Sequence, residues 1–200
     1  MADARTDQSS HEAANPWQTR AVTRVYENPW IEVSHHDVIK PSGGDGIYGV
    51  VHFKNLALGI VALDAEGNTW LVGQYRYALG RYSWEIPEGG GPHGIPPLES
   101  AMRELREETG IEATVWTHLL DMDLSNSVTD ESGRAYVAQG LAFGVPAPED
   151  TERLAVRRLP FAEALAMVLR GEITDAMSMV ALLKTNEWLR SGRIALIVDR

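Results

Sequence analysis

Between Gly89 and Ile111 the chain reads GGGPHGIPPLESAMRELREETGI, a glycine-rich loop running into a helix that carries Glu104, Glu107 and Glu108. At roughly 100° per residue those three carboxylates fall within about a 100° arc of one helix face. Leu98, Ala101, Met102 and Leu105 occupy an adjoining arc, which predicts a buried apolar side and an acid-loaded side. Like charges this close repel by about 1 kcal/mol per pair even in water. A helix tolerates them if they are solvated or if cations sit among them. Hard oxygen ligands suit Mg²⁺ or Mn²⁺, and Mg²⁺ commonly joins one or two protein carboxylates to substrate phosphates.

An ordinary solvated face would also account for part of the pattern. Glu99 with Arg103, and Arg103 with Glu107, are i,i+4 pairs. The full string separates the two readings. Gly89, then five residues, a position held by Ile95, seven residues, and Arg103-Glu-Leu-x-Glu-Glu-x-Gly-Ile111 resembles the signature of the Nudix hydrolases. Every fixed position agrees except Ile95, where that family usually has its first glutamate.

Outside this stretch the composition sets limits. Two hundred residues suit one domain with a small N-terminal subdomain. Eighteen basic against 28 acidic residues leave a net charge of −10, which argues against nucleic acid or an anionic membrane as partner. An acidic protein can still take a polyanionic substrate where metal ions neutralise the phosphates. The absence of cysteine removes disulfides, thiol chemistry and zinc–thiolate sites. The first 20 residues lack an apolar leader core and no run approaches 18 apolar residues, so a cytoplasmic protein is expected.

Residues 1–18 are polar and rich in Ala, Ser and Asp, and read as a disordered tail. Residues 19–55 read as an N-terminal β subdomain, with strands at Ala21–Tyr26, Trp30–Ile39 and Gly46–Phe53. Residues 56–191 form the main domain and 192–200 a tail. In the main domain, Leu58–Asp64 and Thr69–Tyr77 flank Ala65-Glu-Gly-Asn, a hairpin turn. The acidic helix ends at Gly110. Strands follow at Glu112–Asp121, Arg134–Phe143 and Leu154–Arg158, and helices at Phe161–Leu169 and Asp175–Ser191. Strands around an isolated helix, with helices at the end, predict an α/β fold: a mixed β-sheet sandwiched by helices, plus N-terminal antiparallel strands. The Nudix resemblance implies the same α/β/α sandwich.

The resemblance reaches beyond the signature. Gln74-Tyr75-Arg76, then Trp84-Glu85-Ile86-Pro87-Glu88-Gly89, is similar to a pattern of the ADP-ribose and nucleoside diphosphate sugar pyrophosphatase branch. So are the strands ending in Tyr48-Gly-Val-Val-His-Phe53 and the stretch Gly171-Glu-Ile-Thr-Asp175. In that branch water attacks one phosphorus of a pyrophosphate, which requires bridging cations, a base for the water and a positive clamp. The resemblance implies Glu104 and Glu108 as principal ligands of Mg²⁺ or Mn²⁺. Glu107 would be a third, and a main-chain carbonyl of Glu88 or Gly89 would complete the shell. It implies Arg103 as the residue orienting the glutamates, Arg76 as the phosphate clamp, and Glu85 as either a substrate contact or a structural hydrogen-bonding group. Trp30 and Lys54 stand where the branch's N-terminal strands contact the base, often across a homodimer.

The base lies outside the signature. The branch places an acid on a later loop, and here Leu124-Ser-Asn-Ser-Val-Thr-Asp-Glu131 precedes a strand. That makes Glu131 the leading base or additional ligand and Asp130 the alternate, although the branch's Pro-Gly pair is missing from this loop. His35 and His36 would point to opposite faces of a strand and cannot share an ion. His93 reads as a surface residue, and Trp84 as a base-stacking or core residue. Rival activities are cleavage of nucleoside triphosphates, dinucleoside polyphosphates or capped RNA. A non-catalytic nucleotide-binding module is a further rival, raised by Ile95.

Overall fold

The computed structural model describes residues 14–147 and 153–197. Of these, residues 14–53 together with Ser125–Asp130 form one compact unit, and Lys54–Leu124 with residues 131–147 and 153–197 form another. The first contains strands β1 (Gln18–Glu27), β2 (Ile31–Ile39) and β3 (Asp45–Phe53), antiparallel in the order β1-β2-β3. Period-two alternation places Ser34 and Val38, both buried, on one face of β2. His35 and His36 do fall on opposite faces, His36 bonding to Ser34 and His35 lying near Asp37. Every residue of β1 is exposed, Val22, Val25 and Tyr26 included. The tail expected over residues 1–18 lies outside the described residues as far as residue 13, and β1 begins three residues ahead of the expected Ala21.

The second unit is built on strands β4 (Asn55–Ala62), β5 (Asn68–Arg76), β6 (Arg81–Glu85) and β7 (Glu88–Pro92), followed by helix α1 (Pro97–Thr109). Next come β8 (Ile111–Asp123), β9 (Ser132–Phe143), β10 (Ala155–Pro160), α2 (Phe161–Leu169) and α3 (Ala176–Arg190). One sheet runs β7-β4-β9-β8 and is mixed, since β4 pairs parallel with β9 and antiparallel with β7. A second sheet runs β10-β5-β6, all antiparallel.

Helices cover both faces of the mixed sheet, as expected from the sequence. Leu58, Ile60 and Ala62 of β4, with Tyr136 and Ala138 of β9, pack with Ala101 and Leu105 of α1. The alternate residues Val61, Ala135 and Val137 pack with Met177, Ala181 and Leu182 of α3. Both faces of β4 are therefore buried, as a strand between helical layers requires. Ile194 and Leu196 also pack against the α3 side, and Gln139 donates to the Ala195 carbonyl. Among the described residues no helix is long and apolar enough to cross a membrane.

Three expectations need correction. The turn at Ala65–Asn68 forms, with Asp64 accepting from the Glu66 and Asn68 N–H groups, but β4 and β5 are not a hairpin. Both edges of β4 are already taken by β7 and β9, so β5 turns away into the second sheet. The glycine-rich loop is in part a strand, because Glu88–Pro92 pairs with Asn55–Gly59. The faces of α1 also differ from the sequence pattern. Ser100, Ala101, Leu105, Glu108 and Thr109 are buried, whereas Leu98 and Met102 are exposed. Burying Leu105 contributes roughly 2 kcal/mol, enough to offset the repulsion within a pair of carboxylates on the same helix.

Candidate active site

The site grows from the contact between α1 and the β7 backbone. Glu108 is only 2 % exposed, and its Oε2 accepts the Glu88 N–H at 3.0 Å. Glu104 lies against Gly89 so closely that a Cβ there would sit 2.2 Å from the Glu104 carboxyl carbon. Only glycine lets this carboxylate lie on the main chain. Arg103 Nη2 donates to Glu104 at 2.6 Å and to the Gly90 carbonyl at 3.0 Å, while Nη1 donates to Glu107 at 2.7 Å. One guanidinium thus joins two of the three helix acids to the strand. Gly110 ends the helix with φ 72°, its N–H bonded to the Arg106 carbonyl, and a Cβ there would strike the Gly144 carbonyl.

A second group of charges comes from the β5–β6 pair. Arg76 grips the buried Glu85 through Nε at 3.0–3.1 Å and Nη2 at 2.5 Å. That bidentate pair leaves Nη1 with no hydrogen bond among the described residues. Beside Arg76 opens a cleft of about 530 Å³, lined in part by Tyr77, Leu79, Arg81, Thr174 and Asp175. Burial pushes the Glu88 carboxyl well above the ordinary glutamate value, and Asp175, Glu85 and Glu108 add to the shift against the opposing charge of Arg76. Burial, with a further contribution from Asp175, also pushes Glu131 upward.

Among the described residues no three acidic or imidazole side chains converge into a ready ion cage. The donor set still suits a hard divalent cation. Carboxylate oxygens and main-chain carbonyls are its natural ligands.

Of the residues singled out from the sequence, Arg76, Glu85, Glu88, Gly89, Arg103, Glu104, Glu107, Glu108 and Glu131 join this linked cluster. Lys54 is half-buried at the head of β4. Trp30 belongs to the other unit, where it is 65 % exposed. Asp130 is turned to different partners, His52 at 2.7 Å and the Phe53 N–H at 2.9 Å. Ile95 and His93 are exposed. Trp84 packs against the core and meets Tyr82 edge-on.

The sequence reading missed Asp175 and Ser178 as site residues. Asp175 caps α3 by accepting the Ser178 N–H at 2.7 Å, and its charge reaches Arg76, Glu88 and Glu131. Ser178 accepts the Ile86 N–H and donates to Glu88. The Asp-x-x-Ser pattern marks a helix start in the sequence, but gives no sign of what the cap faces.

The NUDIX domain family model matches residues 54–181, and the nucleoside diphosphate sugar hydrolase N-terminal domain matches residues 17–51. The chain belongs to the Nudix family. It is 37 % identical over 175 residues to an ADP-ribose pyrophosphatase of Mycobacterium tuberculosis, covering 86 % of this chain and 84 % of that protein. It is 29 % identical over 167 residues to an ADP-ribose pyrophosphatase of Bacillus subtilis, covering 82 % and 90 %. A methanol dehydrogenase activator of Bacillus methanolicus is 28 % identical over 166 residues, covering 82 % and 89 %. The fold matches a crystal structure of an ADP compounds hydrolase with a TM-score of 0.79 and 24 % identity, over 89 % of this chain and 97 % of that one. This Nudix protein is accordingly a hydrolase of the pyrophosphatase type, in the ADP-ribose and nucleoside diphosphate sugar branch. Nudix hydrolases generally use a divalent metal.

Proposed function

We propose that this Nudix hydrolase splits the pyrophosphate of ADP-ribose, or of a related nucleoside diphosphate sugar, into a nucleoside monophosphate and a sugar phosphate. The carrying observation is the seating of Glu104 and Glu108 on the Glu88–Gly89 backbone, with Glu107 tied in through Arg103. Glu104, Glu107 and Glu108, with a main-chain carbonyl of Glu88 or Gly89, would hold Mg²⁺ or Mn²⁺. When bound, the metal supplies charge neutralisation on the phosphate oxygens. Arg103 orients Glu104 and Glu107. Arg76, steadied by Glu85, offers its free Nη1 edge to the diphosphate. Glu131 takes the proton of the attacking water, and burial has already raised its basicity. Asp130 is the weaker candidate for that role, since both its oxygens are engaged by His52 and Phe53. Trp30 and Lys54 are assigned to the base end of the substrate.

The test compares ADP-ribose and nucleotide sugars with nucleoside triphosphates at equal concentration, with Mg²⁺, with Mn²⁺ and with chelator. Expected is activity only with divalent cation, with AMP and ribose 5-phosphate as the products from ADP-ribose. Preference for triphosphates, with pyrophosphate released, would defeat the substrate assignment and leave the family intact.

The same reading includes a homodimer. A ten-residue strand exposed at every position, carrying Val22, Val25 and Tyr26, leaves apolar surface and a sheet edge that association would cover. Light scattering at micromolar concentration should give twice the chain mass, and deletion of residues 1–55 should give insoluble or inactive protein. A stable monomer that retains full activity would end this assignment.

A further inference from the structure

The hairpin of β5 and β6 brings a second arginine to the cleft beside Arg76, and none of the roles assigned above uses it. Register between the two strands sets Arg76 directly opposite Arg81, Gln74 opposite Ser83 and Val72 opposite Glu85. Directly opposed residues share a face, with Cβ atoms about 5 Å apart. Side chains alternate along a strand, so Arg81 shares that face with Glu85 as well. Gly80 fixes the end of the hairpin. It adopts φ 64°, where an L side chain is strained, and its N–H bonds to the Arg76 carbonyl at 3.0 Å and the Tyr77 carbonyl at 3.2 Å.

Two like charges in directly opposed positions destabilise a strand pair. One of them is matched here. Glu85 takes the Nε and Nη2 edge of Arg76, and the negative charge of Asp175 acts on the same guanidinium. Arg81 has no acidic side chain within ion-pair distance among the described residues. Its Nη2 instead donates to the Thr174 hydroxyl at 2.9 Å, a partner 93 positions further along the chain. A neutral hydroxyl orients a guanidinium without neutralising it. Arg81 is exposed, and with Thr174 it lines the same cleft of about 530 Å³ as Arg76.

We propose that Arg81 is a further substrate-binding residue, which takes one phosphate of the diphosphate while Arg76 takes the other. A guanidinium fork matches phosphate oxygens, and two adjacent phosphates bring a negative charge for each arginine of the cross-strand pair. The repulsion between the arginines is borne by the free protein and relieved by the substrate. This role rests on the reading of the substrate as a nucleoside diphosphate sugar. It adds that the β5–β6 hairpin recognises a pair of phosphates rather than a single one.

The test uses full-length protein with Arg81→Met, which keeps the apolar stem, and Arg81→Lys, which keeps the charge. Arg190→Met is the control for general loss of positive charge, since Arg190 ends α3 roughly 20 Å along the axis from Ala176 at the cleft. Calorimetric titration with inorganic pyrophosphate, in the presence of chelator, should show saturable binding to the parent. Arg81→Met should weaken it at least about tenfold and Arg190→Met less than about twofold. Orthophosphate binding should weaken less than about threefold in Arg81→Met, because Arg76 remains. With ADP-ribose and Mg²⁺, Arg81→Met should raise KM at least about tenfold with kcat changed less than about threefold, and Arg81→Lys should recover most of the loss. Ligand-free Arg81→Met should melt at or above the parent temperature, since it removes a like-charge contact. Pyrophosphate binding that is absent from the parent, or undiminished in Arg81→Met, would overturn the proposal. So would a lowered melting temperature joined to binding that Arg81→Lys does not recover, which would make Arg81 a structural tie to Thr174. ADP-ribose left uncleaved while pyrophosphate binding still depends on Arg81 would defeat the substrate reading and leave the diphosphate site standing.

Discussion

Glu108→Gln should turn over at least about a hundredfold more slowly than the parent while folding normally, a loss of about 2.7 kcal/mol in transition-state stabilisation. The substitution keeps the side chain's size and helix propensity. The Gln Oε1 can still accept the Glu88 N–H that the carboxylate accepts now. What disappears is one negative charge at the most enclosed position of the acidic group. That charge also helps hold the Glu88 carboxyl up, so its removal should leave the chelator-treated protein as thermally stable as the parent, or more so. A rate loss joined to unchanged or raised melting temperature separates a ligand role from a packing role. Glu104→Gln, whose side chain lies on Gly89, should behave alike. Near-parental rates from both proteins at saturating Mg²⁺ would remove the helix carboxylates from the mechanism.

Glu131→Gln should have a comparably large effect, confined to the chemical step. Single-turnover kinetics should show the rate falling by about a hundredfold or more with substrate affinity changed only slightly, as for a group that acts in the transition state. A base works in its deprotonated form. Because burial and Asp175 raise the Glu131 carboxyl above its usual range, parent activity should decline as pH falls through that raised value. The variant should lack this limb. An acid limb that persists in Glu131→Gln would assign the titration to another group, with Asp130 next to be tested.

How far the sequence could be read depended on the range of the interactions involved. Helix α1 and its end at Gly110 were legible because 3.6-residue periodicity and a left-handed cap are local properties. The turn after Asp64 was legible for the same reason. Its flanking strands do not form the hairpin that the turn suggests, since a turn does not reveal that β7 and β9 claim both edges of β4. The glycine run looked like a loop because glycines have no side-chain alternation to reveal a strand. Only the pairing of Glu88–Pro92 with β4 shows it.

The site divides along the same line. By itself the sequence determined the family, the helix bearing Glu104, Glu107 and Glu108, and the presence of arginines able to pair with them. Those follow from residue type and spacing, which a chain carries without being folded. Tertiary structure alone decided that Glu108 is buried while Met102 is exposed, because the covered side of α1 depends on which strands lie beneath it. It also parted two adjacent acids. Asp130 is drawn to His52 some 78 positions earlier, and Glu131 is left near Asp175. Nothing in an Asp-Glu dipeptide encodes that division, which comes from strand register and helix placement acting over long stretches of chain.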